Sequence, residues 1–433
     1  MRNVTASSDP PISHLVVSWV LMIPLVCFAS NGMLWFRAVA GNNELTSRFG
    51  LAGGGEAGTA DNIAITILLF AIVPVVLFPK MKSVIQLCRK DKVFAALAAW
   101  IMVSCLWSQF PMVSLEWAPV VALNIVFAFY LYRRFSPDQQ IRLLLLLGWI
   151  CLVLSIVLSL FFPEYGIDHT GTTGAWRGMY YHKNVCSMTT AFLLLGGLYV
   201  PATSFLSRIS RVVYVCLSVF LIIMTQSATG RVILACLLAY CLATRLVSVL
   251  GPRERTIAFI MGTTIALALV GTGISNAKAI SLFLGKDPTL TGRTEIWKSM
   301  MSSIVKHPIL GYGYKAFWRG YQGESANVSF ATHWAVPSAH NAFLEVWIAL
   351  GAVGVALVVY TLLRAIRDAF VCLRAGKSPY LAWYASIVFL TIVLSADEGE
   401  LVIPNGLMWI LYILACIGLS EGARSIRLGL DRG

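Results

Sequence analysis

Charge is what this sequence has least of. Only 12% of its 433 residues are Asp, Glu, Lys or Arg, about half the share of an ordinary soluble domain. Acid is scarcer than base, 20 residues against 33. The polar, highly charged composition of a disordered chain is absent, and so is any collagen-type glycine period. The ten cysteines show no metal-type spacing and no disulfide framework. All fall in or beside apolar blocks, where a small buried hydrophobe is the simplest role. No Asp-x-Asp pair of the metal–nucleotide transferases occurs. No basic run is dense enough for a nucleic-acid arm, so the net charge of +13 needs another explanation.

What is present is apolar sequence, 58% of the chain, in uncharged blocks of about 15–25 residues. That is the length a helix needs to cross a bilayer. We expect an all-α polytopic membrane protein with twelve spans, at roughly 15–36, 62–79, 93–107, 114–131, 143–162, 186–200, 212–225, 232–250, 256–272, 341–363, 380–395 and 404–420. The first block is too long for a cleavable signal and lacks a cleavage site, so it reads as a span. The organisation is then 1–272 with spans one to nine, 273–340 as one long outer loop containing an amphipathic helix, and 341–433 with spans ten to twelve and a tail.

Basic residues set the orientation. With the N-terminus inside, 21 of the 33 lie on the inner side, against five outside once the long loop is set aside. Both termini are therefore expected in the cytoplasm. The chemistry then falls outside. His169, His182, His307, His333 and His340 all lie there, and the span interiors carry almost no ionisable residues. An ion-coupled carrier would place carboxylates or histidines within the bundle.

Four polar segments stand out. In Gly171–Asn184, Arg177 and Lys183 sit beside Trp176, Tyr180, Tyr181 and His182. Guanidinium forks suit phosphate, and rings suit sugar faces; an interfacial aromatic belt is the structural alternative. In Gln226–Arg231, Arg231 is a lone outer cation that needs an anion, either a lipid headgroup or a bound pyrophosphate. Thr289–Trp297 opens a helix that Thr291 or Gly292 can cap and that Pro308 ends. The rows Ile296, Met300, Ile304 and Trp297, Met301, Val305 make its apolar stripe. Arg293 lies in the first turn, against the helix dipole, and so calls for a nearby anion or an acid such as Glu295. In Pro337–Glu345, His340 stands at the mouth of the tenth span. Its ordinary pKa of about 6.5 suits a general base, although an interfacial histidine bonded to the helix start has the same pattern. Asp397–Glu400 is an acidic outer loop with the charge to hold a cation, for which a solvated turn is the simpler reading. Glu345, five residues from His340, falls on a different helical face.

Taken together, these segments resemble the O-antigen ligase and polymerase (Wzy/WaaL-like) superfamily, and within it the exopolysaccharide polymerases of the rhizobial ExoQ type. The residues that carry the resemblance run in order over about 106–345. They are Leu106-Trp107-Ser108-Gln109-Phe110-Pro111 with Ser114-Leu115, Arg177-Gly178 with His182-Lys183-Asn184, and Ser227 to Arg231. They continue through Leu290-Thr291-Gly292-Arg293-Thr294 with Trp297, His307-Pro308 with Gly311-Tyr312-Gly313, and His340-Asn341 with Leu344-Glu345.

The resemblance implies transfer of an oligosaccharide from undecaprenyl pyrophosphate to a sugar hydroxyl at the periplasmic face of the inner membrane, without metal or cofactor. It implies His340 as catalytic base, and Arg177, Arg231, Arg293 and Lys183 with Trp176, Tyr180 and Tyr181 as substrate-binding residues. The lipid-linked oligosaccharide and membrane lipid are the expected partners, with a chain-length regulator and export proteins beside them, and no nucleic acid. A ligase acting on a lipid A core and a non-enzymatic flippase or export component are the alternatives.

Overall fold

The computed structural model describes residues 91–168, 174–251, 253–257, 293–376, 378–396, 398–399 and 401–429, with a few positions within 21–29 and 84–88. The expected spans at 15–36, 62–79 and 256–272 lie outside the described residues apart from scattered positions, as do His169, Thr291 and Gly292.

Eleven helices of two turns or more are described, α1 to α11 in chain order. They are α1 (Lys92–Val103), α2 (Pro111–Arg134), α3 (Pro137–Phe161), α4 (Lys183–Tyr199), α5 (Phe205–Met224) and α6 (Ala228–Ser248), followed by α7 (Arg293–Lys306), α8 (Ser325–Thr332), α9 (Ala342–Ala375), α10 (Pro379–Ser395) and α11 (Leu407–Arg427). Nine of these coincide with the nine expected apolar blocks that the description covers. Six of them, α2, α3, α5, α6, α9 and α11, are long and apolar enough to cross a membrane. Caps written in the sequence set several boundaries. Before α3, Ser136 and Gln139 form a reciprocal capping box ahead of Pro137 at the first helical position. The Ser227 hydroxyl caps α6, and the Asn341 side chain accepts from the Phe343 and Leu344 amides at the start of α9.

Packing separates inner from outer helices. α4 is buried along nearly its whole length and packs on α3, α5 and α6, while α11 packs on α2, α9 and α10. α5 and α6 expose Val212, Val213, Ile223, Val232, Leu238, Leu242 and Leu246. In water this would be an interaction patch; in a bilayer it faces acyl chains, which removes no favourable contact. These features make the chain a helical membrane protein. A two-stranded antiparallel sheet, β1 (Ile167–Asp168) with β2 (Ala175–Trp176), was not expected; it pins the turn ahead of α4.

α9 breaks at Gly351, whose backbone is left-handed (φ 66°). The break frees carbonyls inside an apolar helix, and the segment after α7 fills it. Tyr312 and Gly313 donate to the Ile348 and Ala349 carbonyls, both at 2.9 Å, and Ala352 donates to Pro308 at 2.9 Å. A Cβ on Gly351 would stand 2.0 Å from the Ile309 carbonyl oxygen, so only glycine accepts this crossing. Two of the sequence motifs meet on the same segment: Gln109 donates its amide to Tyr312 at 2.9 Å, and Ser114 Oγ donates to Tyr314 at 2.7 Å. They dock the 312–314 segment onto the start of α2 and onto α9.

Two expectations about this region need correction. Only one of the two apolar rows of α7 is buried. Ile296, Met300 and Ile304 join Tyr312, Phe317, Val328 and Ile348 in a separate small core, while Met301 and Val305 stay exposed. Glu398 is not in a solvated turn either. It is 8% exposed, because the chain between α10 and α11 folds over the bundle mouth.

Candidate functional site

A cavity of about 490 Å³ opens at this mouth, bounded by the start of α4, the segment 314–318, the segment 334–340 and the connection between α10 and α11. Its size falls in the range of roughly 300–1,000 Å³ typical of small-ligand sites. Backbone strain marks the same place. Six non-glycine residues among those described have positive φ: Gln226, Lys315, His333, His340, Val402 and Asn405. Four of them, Lys315, His340, Val402 and Asn405, line the cavity. His333 precedes the lining residue Trp334, and Gln226 precedes Ser227, which bonds a lining residue. A β-branched residue at φ 58°, as at Val402, is a rare conformation. Tyr314 holds it by donating to the Val402 carbonyl at 2.6 Å, and the Asn405 amide donates to Asn124 Oδ1 at 2.8 Å. Strain of this kind collects where a fold fixes side chains for chemistry.

One carboxylate organises the polar wall. Glu398 Oε2 lies 3.0 Å from His340 Nδ1, and Oε1 lies 3.6 Å from Arg293 Nη2. Asn184 Nδ2 donates to Oε1 at 3.4 Å, and Ser227 Oγ donates to Asn184 Oδ1 at 2.9 Å. With the carboxylate as acceptor, His340 donates from Nδ1, which in the neutral ring leaves the lone pair on Nε2 facing away from Glu398. The network joins the starts of α4, α6 and α7, the approach to α9, and the end of α10. It also supplies the acid that the placement of Arg293 at a helix start demanded: Glu398, 105 residues along the chain, answers the dipole argument.

His340 is itself held by its neighbours. It precedes the α9 cap, with φ 49°. Glu345 accepts from the Ala339 amide and, at 2.8 Å, from Trp318 Nε1, while Trp297 Nε1 donates to the Ala339 carbonyl at 2.7 Å. A helical-face relation between His340 and Glu345 does not hold, because the histidine lies before the helix; Glu345 instead braces the histidine's own loop.

The other sequence candidates separate by position. Tyr181, 38% exposed, lines the cavity beside His182. His182 caps α4 through Nδ1, which accepts from the Asn184 amide at 3.2 Å, and its Nε2 is 3.7 Å from Asp168. Burial pushes this imidazole below its ordinary pKa, against the pull of Asp168. Lys183 donates its backbone amide to Asp168 at 3.2 Å. Arg177 is turned to backbone: its Nε donates to the Tyr165 carbonyl at 2.8 Å and Nη2 to Glu164 at 3.3 Å, and burial lowers its pKa. Trp176 is buried edge-on against Phe220, and Tyr180 is buried in the main core. Arg231 is exposed on the first turn of α6, one turn beyond the Ser227 that bonds Asn184. The structure thus brings together His340, Arg293 and Tyr181, sets Arg231 on the adjoining helix start, and keeps Trp176, Arg177 and Tyr180 in supporting positions. Reasoning from sequence read Glu398 only as part of an acidic turn and did not mark Trp318, Trp334 or Lys315, since each reaches the cavity only through tertiary folding.

The chain is similar to known proteins over part of its length. Residues 213–359 match the family model described as O-Antigen ligase. The chain is 26% identical over 294 residues to the exopolysaccharide production protein ExoQ of Rhizobium meliloti, covering 62% of this chain and 63% of that protein, just under two thirds of its length. It is 25% identical over 314 residues to a candidate polysaccharide ligase of Rickettsia prowazekii, covering 67% of this chain and 73% of that one. The family match contains Arg231, Arg293 and His340, the last two sharing Glu398, and over these residues the chain is similar to O-antigen ligases.

Proposed function

We propose that this protein polymerises exopolysaccharide repeat units, transferring an oligosaccharide from undecaprenyl pyrophosphate to a sugar hydroxyl of a second lipid-linked unit. The observation that carries the reading is the pairing of His340 and Arg293 on one buried carboxylate beside a cavity of ligand size. His340 Nε2 takes the proton of the acceptor hydroxyl. The acceptor oxygen bonds to the anomeric carbon as the bond from that carbon to the pyrophosphate oxygen breaks. Undecaprenyl pyrophosphate leaves with the electron pair, and a single displacement inverts the anomeric centre. Glu398 steadies the imidazolium that forms, as carboxylates do for catalytic histidines. Arg293 and Arg231 neutralise the leaving pyrophosphate, an electrostatic role that needs no nucleotide. Tyr181 offers a ring at the edge of the cavity.

The reaction belongs to the periplasmic face of a bacterial inner membrane, with both termini in the cytoplasm and twelve spans in the full chain. The agreement of nine described helices with the hydropathy blocks supports that count, and the excess of inner basic residues supports the orientation. A chain-length regulator and export proteins are the partners such a polymerase needs. A second reading, transfer to a lipid A core, is favoured by the ligase description of the family match and of the rickettsial relative.

Deletion and complementation test the choice. A polymerase mutant accumulates single lipid-linked units, and wild-type protein restores polymer while His340→Ala and Arg293→Ala at equal expression do not. Full-length polymer from either variant overturns the assignment of the site. Polymer that persists in the deletion strain, with loss only of its attachment to lipid A core, selects the ligase.

A further inference from the structure

We infer that the part of the cavity lined by Trp334 and Trp318 is a glycan subsite for the acceptor, beside the His340–Glu398 pair. The assignment rests on the transfer reaction proposed above and names where its second substrate sits. Both indoles line the cavity with Tyr181. Trp334 is 45% exposed, so the fold itself does not bury this large apolar ring. Trp318 is fixed: its Nε1 donates to Glu345 at 2.8 Å, and Phe317 packs edge-on against it with centroids 4.8 Å apart. Held aromatic faces give wide contact at little entropic cost. Mixed with polar neighbours such as Ser338 and Asn184, they suit the apolar C–H face and hydroxyl rim of a sugar ring.

The backbone ties this part of the cavity to the base. Trp334 follows His333, which ends α8 in the left-handed region (φ 62°), and Thr332 Oγ1 donates to the Trp334 carbonyl at 3.3 Å. Five residues on, both backbone groups of Ala339 are bonded, and His340 comes next. One pinned segment thus carries the ring that holds a sugar and the nitrogen that takes its proton. Their separation is set before substrate arrives, which is the requirement for efficient proximity. Arg293, paired with Glu398, and Arg231 stand at the starts of α7 and α6 and are assigned to the donor's pyrophosphate. Trp176 and Tyr180, the aromatics that sequence proximity favoured, are buried away from the cavity.

Saturation-transfer difference NMR on the purified full-length protein tests the subsite without turnover. The probe is the free reducing oligosaccharide released by mild acid from the host's own lipid-linked pool. Wild type and His340→Ala should give the same transfer to sugar ring protons. Trp334→Ala should lose at least about four fifths of it and Trp334→Phe should keep most, with unchanged elution and melting for both. In the chain-growth reaction, Trp334→Ala should raise the acceptor KM at least about tenfold while kcat stays within about threefold. If wild type gives no transfer, or Trp334→Ala gives undiminished transfer, the subsite is overturned and Trp334 is an interfacial anchor. Failure of the proposed reaction reads differently: the oligosaccharide binds as described, but no variant or wild type extends it.

Discussion

Replacing Glu398 with glutamine isolates the charge at the centre of the site. The side chain keeps its size, and its remaining oxygen can still accept from His340 Nδ1 or from Asn184. What disappears is the negative charge 3.0 Å from the imidazole and 3.6 Å from the Arg293 guanidinium. Hydrogen bonds to charged partners contribute about 1.5–3 kcal/mol net, more than neutral ones. The side chain is 11% exposed, so solvent screens this interaction only in part. At 1.36 kcal/mol per decade, the loss should lower kcat by about 10–100-fold. The acceptor KM should move little, because Glu398 acts through His340 as a positioning residue. Reconstituted chain growth, followed as initial rate against acceptor concentration, reads both constants. A structural role alone would give the same drop, so the decisive measurement is the double variant. On top of His340→Ala, Glu398→Gln should cost less than about threefold more, since residues that act as a unit are not additive. A full independent loss in the His340→Ala background, or wild-type kcat in the single variant, refutes the pairing.

Arg293→Ala should lower the transfer rate by about 10²–10³-fold, the scale of one lost oxyanion-type donor; Arg293→Lys should fall between, because a point charge replaces a fork, and wild-type initial rates for both would contradict the role. Arg177→Ala, by contrast, should show its effect in thermal melting of the detergent-solubilised protein rather than in kcat per folded molecule, since its Nε and Nη2 donate to the Tyr165 and Glu164 carbonyls. Gly351→Ala should destabilise by at least about 1–3 kcal/mol, read as a lower melting temperature and a smaller monodisperse peak, because its Cβ would meet the Ile309 carbonyl. Asp91→Asn should also lower melting, by leaving Arg364, whose two terminal nitrogens bond Asp91 at 2.8 and 2.6 Å, without its buried counter-charge. The lowered pKa of His182 means that the unfolded chain binds a proton more readily. Stability from this group is therefore present above about pH 6.5 and lost as pH falls below that value, and His182→Gln should flatten this part of a melting-against-pH series.

The helices were legible because a bilayer imposes length and apolarity directly on the chain. The caps at Ser136, Ser227 and Asn341 are local chemistry too, but the only cap read from the sequence, at Thr291 or Gly292, lies outside the described residues. His340 and Arg293 were legible as exceptions, one a titratable group at a helix mouth and the other a cation at a helix start. Glu398 was not, because an acidic turn reads as solvated until the fold over it is known. Burial is a tertiary property that no spacing encodes. Glu345 was set aside by a helical-face count that holds only within a helix, and the left-handed backbone at His340 put the histidine before its start. Trp176 and Tyr180 mislead in the opposite way. They are neighbours of Arg177 in sequence, but β2 and the turn after it carry both rings into the core. Trp318 and Trp334 look like ordinary loop aromatics, and only the crossing of the 308–313 segment through the break in α9 brings them to the cavity.

Reconstitution tests the central claim most directly. Purified protein in liposomes is given undecaprenyl-pyrophosphate repeat units, with no nucleotide sugar, and the products are resolved on a gel. The account predicts a ladder of repeat-unit steps that disappears in His340→Ala and Arg293→Ala protein of equal folded content. Unjoined units with wild-type protein, or a ladder of undiminished length and rate from His340→Ala, would contradict it.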